Sequence, residues 1–336
     1  MKGSKSYASA YSFKHVDVVN TPDFDSLAAY VSYIEKAIDS FAVSSNHTLL
    51  FSTDYSDFKV NGSDLETRLL EITGDPSAAI HFLGEFEKAI GINKAYLDTT
   101  QIVNAIQANP QEALPFEYAY KIGFIWPGIS DEKQISSYTD LCNQNSFNFK
   151  NGVTTRKGFT DKAKIVYEHI QFHPQFEDKL QTIKRGTFMD YLSEFSHCLN
   201  TLNQASFEIS KEENQNLADL QVISDKSAEP ELKGRMLACT RQGANKPYFD
   251  FENLNRGEVK VDSYGKEKVV YPLENINSEY HLKLNFNDKG IKIQSDDDYN
   301  RAYFAMKYCD VTDKKYIKLA YIGEHWPPKK GGKKRK

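Results

Sequence analysis

Hydrophobic residues recur at helical spacing through most of the first 200 residues. The clearest spacing lies in residues 26–38 and is carried by Leu27, Tyr30, Val31, Ile34 and Ile38. Steps of three and four residues place these side chains on one face of an amphipathic helix. Residues 187–202 repeat the pattern. The sequence therefore predicts a helix-rich segment that ends near residue 203.

Capping and proline signals support these helices. Residues 63–66 fit a capping box, and Asp75 precedes Pro76 as a helix N-cap precedes a proline in the first turn. A residue that precedes proline is pushed out of the helical region. Pro174 is therefore expected to end a helix over residues 161–172.

After residue 243 the hydrophobic period becomes two. Tyr280, Leu282, Leu284 and Phe286 alternate with polar residues, as in a half-buried strand. Turn residues predict three hairpins, which join 258–262 to 268–271, 280–286 to 291–293, and 301–308 to 316–322. A helix remains the alternative for residues 296–308, because Ser295 followed by three aspartates would cap a helix well.

Together these patterns predict an α+β fold, with a helix-rich N-terminal two-thirds and an antiparallel, β-hairpin-rich C-terminal part. Residues 210–230 are the most polar long interval of the chain. We therefore expect a helical domain over 1–209, with a break into two subdomains near 145–160, and a polar linker over 210–235. An antiparallel β domain over 236–328 and a basic tail over 329–336 follow.

The charge of the chain is unevenly distributed. Its 336 residues include 42 Lys and Arg against 46 Asp and Glu, and six of the basic residues fall within the last eight positions. Without those six, 36 basic residues face 46 acidic ones, a net charge of −10. Binding of nucleic acid over a whole surface needs a continuous basic stripe. Any nucleic-acid contact is therefore expected to be local.

Cysteine spacing and hydropathy indicate the compartment. Four cysteines lie 40 or more residues apart, and this spacing suggests neither a disulfide framework nor a zinc finger. The chain starts without an apolar signal segment and contains no uninterrupted apolar run long enough to span a bilayer. We expect a cytoplasmic protein with no membrane partner, or a nuclear one in a eukaryote.

One fragment points to nuclease chemistry. Alternation places Glu258 and Lys260 on one strand face, and Asp250 could lie on the strand before them. This set resembles the acid…(Asp/Glu)-x-Lys pattern of the restriction-endonuclease-like nucleases. The resemblance covers some eleven residues and implies that the two acids hold a divalent metal and that the lysine supports the attacking water. The competing interpretation is an exposed hairpin face with alternating charges.

Two histidines form a second candidate metal site. His169 and His173 lie four residues apart, as metal-binding pairs on a helix face do. Because His169 shares a stripe with Ile165 and Phe172, a packed and hydrogen-bonded histidine is the competing interpretation.

The C-terminus brings aromatic and basic residues together. The candidate binding residues there are His325, Trp326, Lys329, Lys330, Lys333, Lys334, Arg335 and Lys336. A tryptophan can stack a base or anchor a partner, but it also commonly packs a loop over a core. Similarly, the basic run can bind phosphate, direct nuclear import or remain solvated.

Two functional hypotheses follow. The first is a non-catalytic binding or accessory protein, with a protein partner and with nucleic acid as a further partner of the C-terminal part. The second is a metal-dependent nuclease that uses Asp250, Glu258 and Lys260, the one case that would require a divalent metal. The sequence identifies no other cofactor, because it lacks the phosphate-loop, dinucleotide, nucleophile-elbow and zinc-protease motifs.

Overall fold

A computed structural model gives the architecture of the chain. It describes residues 3–12, 24–122, 125–180, 183–232, 235–243, 245–284, 286–287, 289, 291 and 300–326. The chain divides into two compact units, residues 1–152 and residues 153–336. The expected domain boundaries stay predictions.

The first unit combines helices with a parallel sheet. Its elements are β1 (Ser4–Ala8), α1 (Phe24–Ala42), β2 (His47–Phe51), α2 (Leu65–Thr73), α3 (Pro76–Ile90), α4 (Thr99–Ala108), β3 (Phe116–Tyr120), β4 (Gln134–Ile135) and α5 (Tyr138–Phe149). The strand order is β2-β1-β3-β4, and every pairing is parallel. As predicted, Asp75 caps α3, where its carboxylate accepts from the Ser77 amide.

The parallel sheet is a feature that the prediction of a helix-rich N-terminal part did not include. Most residues of its strands are buried, including four of the five in β1 and four of the five in β3. Strands that are covered on both faces do not alternate between polar and apolar residues. The period-two signal that identifies a half-buried strand is therefore missing from them.

The second unit begins with helices and ends with strands. Its elements are α6 (Arg156–Val166), β5 (Ile170–Phe172), α7 (Phe176–Lys179), α8 (Leu192–Ala205), α9 (Asn216–Ser227), β6 (Cys239–Arg241), β7 (Tyr248–Glu252), β8 (Glu258–Val261), β9 (Glu267–Val270), β10 (Leu273–Asn277), β11 (Tyr280–Leu284), β12 (Asn300–Cys309) and β13 (Lys314–Gly323). The mixed α and β composition agrees with the predicted class. Two predicted hairpins are confirmed, namely β8–β9 and β12–β13.

A five-stranded sheet with the order β5-β13-β12-β11-β6 forms the centre of this unit. Its pairings are antiparallel except that β5 runs parallel to β13, so the sheet is mixed rather than purely antiparallel. The strand interpretation is correct for residues 300–308, whereas residues 292–299 lie outside the described residues. The predicted partner of β11 at 291–293 therefore lies largely outside the described part of the chain.

Two ribbons, each of two antiparallel strands, accompany this sheet. We call β7 with β10 the anchored ribbon and β8 with β9 the exposed ribbon. Phe249, Phe251 and Ile276 of the anchored ribbon share one buried cluster with Ala305 and Ala320 of the sheet. Every residue of the exposed ribbon's strands is solvent-exposed.

The interval 210–235, which we predicted to be a polar linker, includes helix α9, and α9 buries Leu220 and Ile223. Asp219 of α9 forms an ion pair with Lys315 of β13 at 2.7 Å, and both side chains are almost fully buried. The Lys315 ammonium also donates to the Glu212 carbonyl at 2.8 Å. The polar residues of this interval therefore join it to the sheet.

Candidate functional site

A groove runs between the anchored ribbon and one face of the five-stranded sheet. It consists of two adjoining hollows with volumes of about 300 and 340 Å³. Glu213, Glu274 and Lys307 line both hollows, so the two lie side by side. Each volume is at the lower end of the range for small-ligand sites. We call the hollow that reaches Lys318 the first hollow and the one that reaches Glu279 the second hollow.

The register of β12 and β13 accounts for the floor of the groove. Lys307 pairs with Tyr316 and Ala305 pairs with Lys318 across the two strands. Because side chains alternate along a strand, all four lie on the same face of the sheet. Ala305 packs under the anchored ribbon, and Lys307, Tyr316 and Lys318 line the first hollow.

Alternation along the anchored ribbon supplies the opposite wall. In β10, Ile276 points into the buried cluster, and Glu274, two residues earlier, lies on the same face. The Glu274 carboxylate therefore enters the groove. Among the residues the structure describes, it forms no ion pair within 4 Å. It is a carboxylate available to a ligand at the point where the two hollows meet.

Lys318 is the most strongly perturbed cation of the groove. Its ammonium donates to the Glu252 carbonyl at 2.9 Å and lies 5.6 Å from the centre of the Phe251 ring. Burial lowers the pKa of Lys318 to about 8, although the negative charge of Glu274 opposes this shift. A buried environment disfavours the charged form of an amine. The hydrogen bond to the Glu252 carbonyl fixes the position of the Lys318 amine.

The second hollow is more acidic than the first. Its charged lining comprises Lys307 and the three acids Glu213, Glu274 and Glu279. Lys307 lies 3.7 Å from Glu213, and Glu279 is bound by Arg241 at 2.8 Å and by Lys246. Burial alone would raise the pKa of Glu279, but hydrogen bonds from Lys246, Asn277 and Arg241 lower it. The net effect of these contacts lowers the pKa of Glu279, so its carboxylate can remain ionised at neutral pH.

Amide and phenol side chains complete the lining. They are Asn216, Tyr248, Asn253, Asn255, Asn275, Asn277, Tyr280, Tyr308 and Tyr316. Carboxamides offer both donors and acceptors, as a peptide backbone requires of a binding site. Across both hollows, three cations (Arg256, Lys307 and Lys318) face four acids, Asp310 being the fourth. This balance does not provide the basic track that a phosphate backbone requires.

The proposed nuclease residues lie on two different ribbons. Asp250 is on the exposed side of the anchored ribbon and accepts from Asn275 at 2.7 Å. Glu258 and Lys260 are on the exposed ribbon, where they stand opposite Val270 and Lys268. No group of three or more His, Cys, Asp or Glu side chains within the described ranges could hold a metal ion.

The two histidines flank a strand rather than share a helix. The helix α6 ends at Val166, and β5 occupies Ile170–Phe172 between them, which corrects the prediction of a helix over 161–172. The ring nitrogen Nδ1 of His169 lies 3.1 Å from the Lys314 ammonium, and the ring packs edge-on against Phe207. A neighbouring ammonium would repel a cation bound to His169.

His173 is also packed. Its Nδ1 accepts from the Gln175 amide at 3.0 Å, and its ring meets the rings of Phe249 and Phe251 at 5.5 Å. The pairing of β5 with β13 brings His173 to this position, because the His173 amide donates to the Leu319 carbonyl. His173 therefore supports the anchored ribbon from below.

Trp326 ends the described part of the chain. Its ring packs against Phe249 and Tyr321, and its amide donates to the Tyr303 hydroxyl at 3.1 Å. His325 beside it is half-buried. The other predicted binding residues, Lys329, Lys330, Lys333, Lys334, Arg335 and Lys336, lie outside the described residues.

The groove residues were not among the candidates drawn from the sequence. Lys307 and Lys318 lie in segments that were correctly predicted as paired strands, and the spacing of Tyr316 and Lys318 places both on one face. From the sequence, this spacing could therefore have placed the two side chains together. It could not show that the anchored ribbon covers their face of the sheet, because β7 and β10 pair across the whole exposed ribbon and no local signal predicts that pairing.

The first unit holds a different kind of polar cluster. The Ser4 hydroxyl lies 2.7 Å from Nδ1 of His47, and the Asn145 amide lies 3.3 Å from that hydroxyl. All three side chains are completely or almost completely buried. A serine beside a histidine is a nucleophile only where substrate can reach it. This burial makes the cluster an internal hydrogen-bond network.

None of the helices in the described ranges is both long and apolar enough to cross a membrane. Comparison of the chain with protein families, with curated proteins and with solved structures finds no match.

Proposed function

We propose that this chain is a binding or accessory protein without catalytic activity, and that its second unit takes a basic polypeptide segment into the groove. The observation that carries the proposal is the Glu274 carboxylate, which lies at the junction of the two hollows without an ion pair within 4 Å among the described residues. A ligand cation at this point would gain a charge-assisted hydrogen bond.

The lining favours a peptide over a nucleic acid. Four acids and three cations share the lining, so a phosphate backbone would find no continuous basic track there. Asn253 and Asn255 at one end of the groove and Asn216 at the other can pair with peptide N–H and C=O groups. In this arrangement a Lys or Arg side chain binds Glu274, and the flanking peptide groups bind the amides.

A matched pair of variants tests the proposal. The probes are fluorescently labelled ten-residue peptides rich in Lys, in Glu or in neutral residues, together with a single-stranded oligonucleotide, and the readout is fluorescence anisotropy at two salt concentrations. The Glu274→Gln variant removes the groove carboxylate. Glu252→Gln removes the same charge from the solvent side of the same ribbon, where Glu252 is exposed.

We expect the basic peptide to bind, and Glu274→Gln to weaken this binding by about tenfold, which corresponds to the loss of one charge-assisted hydrogen bond. Glu252→Gln should leave the affinity within about twofold of the parent, because an exposed charge outside the groove contributes little. Equal weakening by both variants would mean that binding depends on the overall charge of the chain and not on Glu274, and it would overturn the proposal. Preference for the oligonucleotide or for the acidic peptide would overturn the proposal.

The nuclease alternative has a separate test. It requires Asp250, Glu258 and Lys260 to act on one metal ion, although Asp250 lies on a different ribbon from the other two. If the alternative is right, oligonucleotide cleavage depends on magnesium and disappears in Glu258→Ala. Nucleic-acid contact through residues 329–336 also remains a proposal. To test it, binding of the oligonucleotide is measured again after deletion of those residues.

A further inference from the structure

The exposed ribbon has a well-defined turn but no buried face. The Asp262 carboxylate accepts from the amides of Tyr264 and Lys266, both at 2.9 Å, and Gly265 takes the left-handed conformation at φ +78°. All eight residues of β8 and β9 are nevertheless exposed, among them Val259 and Val261 at 63% each. A lone two-stranded hairpin is only marginally stable in water, so its exposed valines suggest a second surface that covers them.

The outer edge of β8 is open to pairing. Among the strands that the structure describes, β8 pairs only with β9. The Asp262 amide donates to the Lys266 carbonyl at the turn, and bonded pairs recur at every second residue of an antiparallel ladder. Lys260 and Glu258 therefore turn their backbone groups toward β9. Val259 and Val261 turn theirs toward the outer edge, where another strand can bind them.

We propose that the exposed ribbon joins a second copy of this chain by antiparallel pairing of the two β8 strands about a two-fold axis at Val259. This register places Val259 opposite Val259 of the second copy. Glu258 then stands opposite Lys260 of the second copy, and the symmetry axis repeats this pair. The sequence Glu-Val-Lys is thus complementary to itself in charge when two copies run antiparallel.

The two faces of the joined ribbons support the same register. Val259 pairs with Val269 within the ribbon, and Val261 lies on the same face, so two copies bring six valines together on one side. The opposite face carries the two Glu–Lys pairs. A two-fold axis at Lys260 would instead oppose two lysines and direct the wrong backbone groups to the edge. Charge and hydrogen bonding therefore favour Val259 over Lys260 as the centre.

Reversing the charge at Glu258 or at Lys260 tests the proposed pairing. In the full-length chain, Glu258→Lys gives the pattern Lys-Val-Lys, and Lys260→Glu gives Glu-Val-Glu, so each variant repels its own copies. Sedimentation equilibrium of the parent should show a concentration-dependent dimer. Each variant should weaken it about tenfold or more, because two attractive pairs become two repulsive ones. An equimolar mixture of the two variants should restore association by forming the mixed dimer.

Lys268→Glu serves as the control. Lys268 lies on the same face as Lys260 but on β9, one strand farther from the axis, and its substitution should leave association within about twofold of the parent. Since all three positions are exposed, thermal melts should remain unchanged. A parent that stays monomeric at every concentration would overturn the proposal. So would a dimer that neither variant weakens, or two weakened variants whose mixture does not associate.

Discussion

The anchored and exposed ribbons are neighbours in sequence and have the same two-stranded antiparallel form, yet they are stabilised differently. Along β7, residues alternate between exposed and buried, and Phe249 and Phe251 enter the core. Along β8, all four residues are exposed. The exposed ribbon relies on its own turn and cross-strand pairs, whereas the anchored ribbon is held by the apolar area that it buries.

This difference separates two roles. The anchored ribbon is fixed against the sheet, and its fixed position creates the groove and holds Glu274 at its centre. The exposed ribbon has no such constraint, so its side chains can contact another molecule without loss of core packing. Substitutions of the buried residues of the anchored ribbon should therefore change stability and groove binding together. Substitutions in the exposed ribbon should affect association alone.

The largest effect is expected from Phe251→Ala. Phe251 is completely buried, and its removal leaves a cavity under the anchored ribbon. The free energy of unfolding should fall by about 3–5 kcal/mol, as measured by urea denaturation. A loss below about 1 kcal/mol would mean that Phe251 does not anchor the ribbon.

Lys318→Met should give a smaller effect that depends on pH. The pKa of Lys318 is about 8 in the folded chain, below its ordinary value of 10.5, so the unfolded chain binds more protons between these pH values. The stability of the parent should therefore rise with pH across that window. Below pH 8 the parent still buries a charged amine, and the variant should be more stable by about 1 kcal/mol.

The advantage of Lys318→Met should shrink as the pH approaches 10.5. Urea denaturation at pH 7 and at pH 9.5 measures this change. Lys307→Met is the matched control, because it removes an ammonium from the same groove at a more exposed position. An advantage that grows with pH would contradict the assignment of Lys318 as a buried cation.

The smallest effect is expected in the exposed ribbon. Val259→Ala should change the free energy of unfolding of the monomer by less than about 0.5 kcal/mol, because Val259 makes little buried contact. Denaturation at a low protein concentration isolates this contribution from self-association. A loss comparable with that of Phe251→Ala would erase the distinction between the two ribbons.

Short-range sequence signals determine which parts of the fold could be predicted. The hairpin β8–β9 follows from turn residues and short-range alternation, and the structure confirms it. The pairing of β7 with β10 encloses this whole hairpin, and no short-range signal specifies such a contact. The parallel strands of the first unit escaped prediction because burial on both faces removes their alternation.

The candidate site was harder to predict than the fold. A lysine in an alternating strand indicates a solvent-exposed face, and this interpretation is wrong for Lys318, because the anchored ribbon covers it. Glu274 lies between two predicted hairpins, in a segment for which no strand was predicted. Asp250, Glu258 and Lys260 form a pattern that is compact in sequence, whereas the groove residues come together only in the folded chain.

Reversal of the charge at Glu274 tests the central claim most directly. Labelled basic and acidic peptides would be titrated into the parent and into Glu274→Lys, with thermal melts to verify that both fold. If the groove binds a basic segment through this carboxylate, the parent prefers the basic peptide, and the variant loses that preference and gains affinity for the acidic one. If the variant retains the preference and affinity of the parent, Glu274 is not the binding determinant and the proposed groove function is wrong.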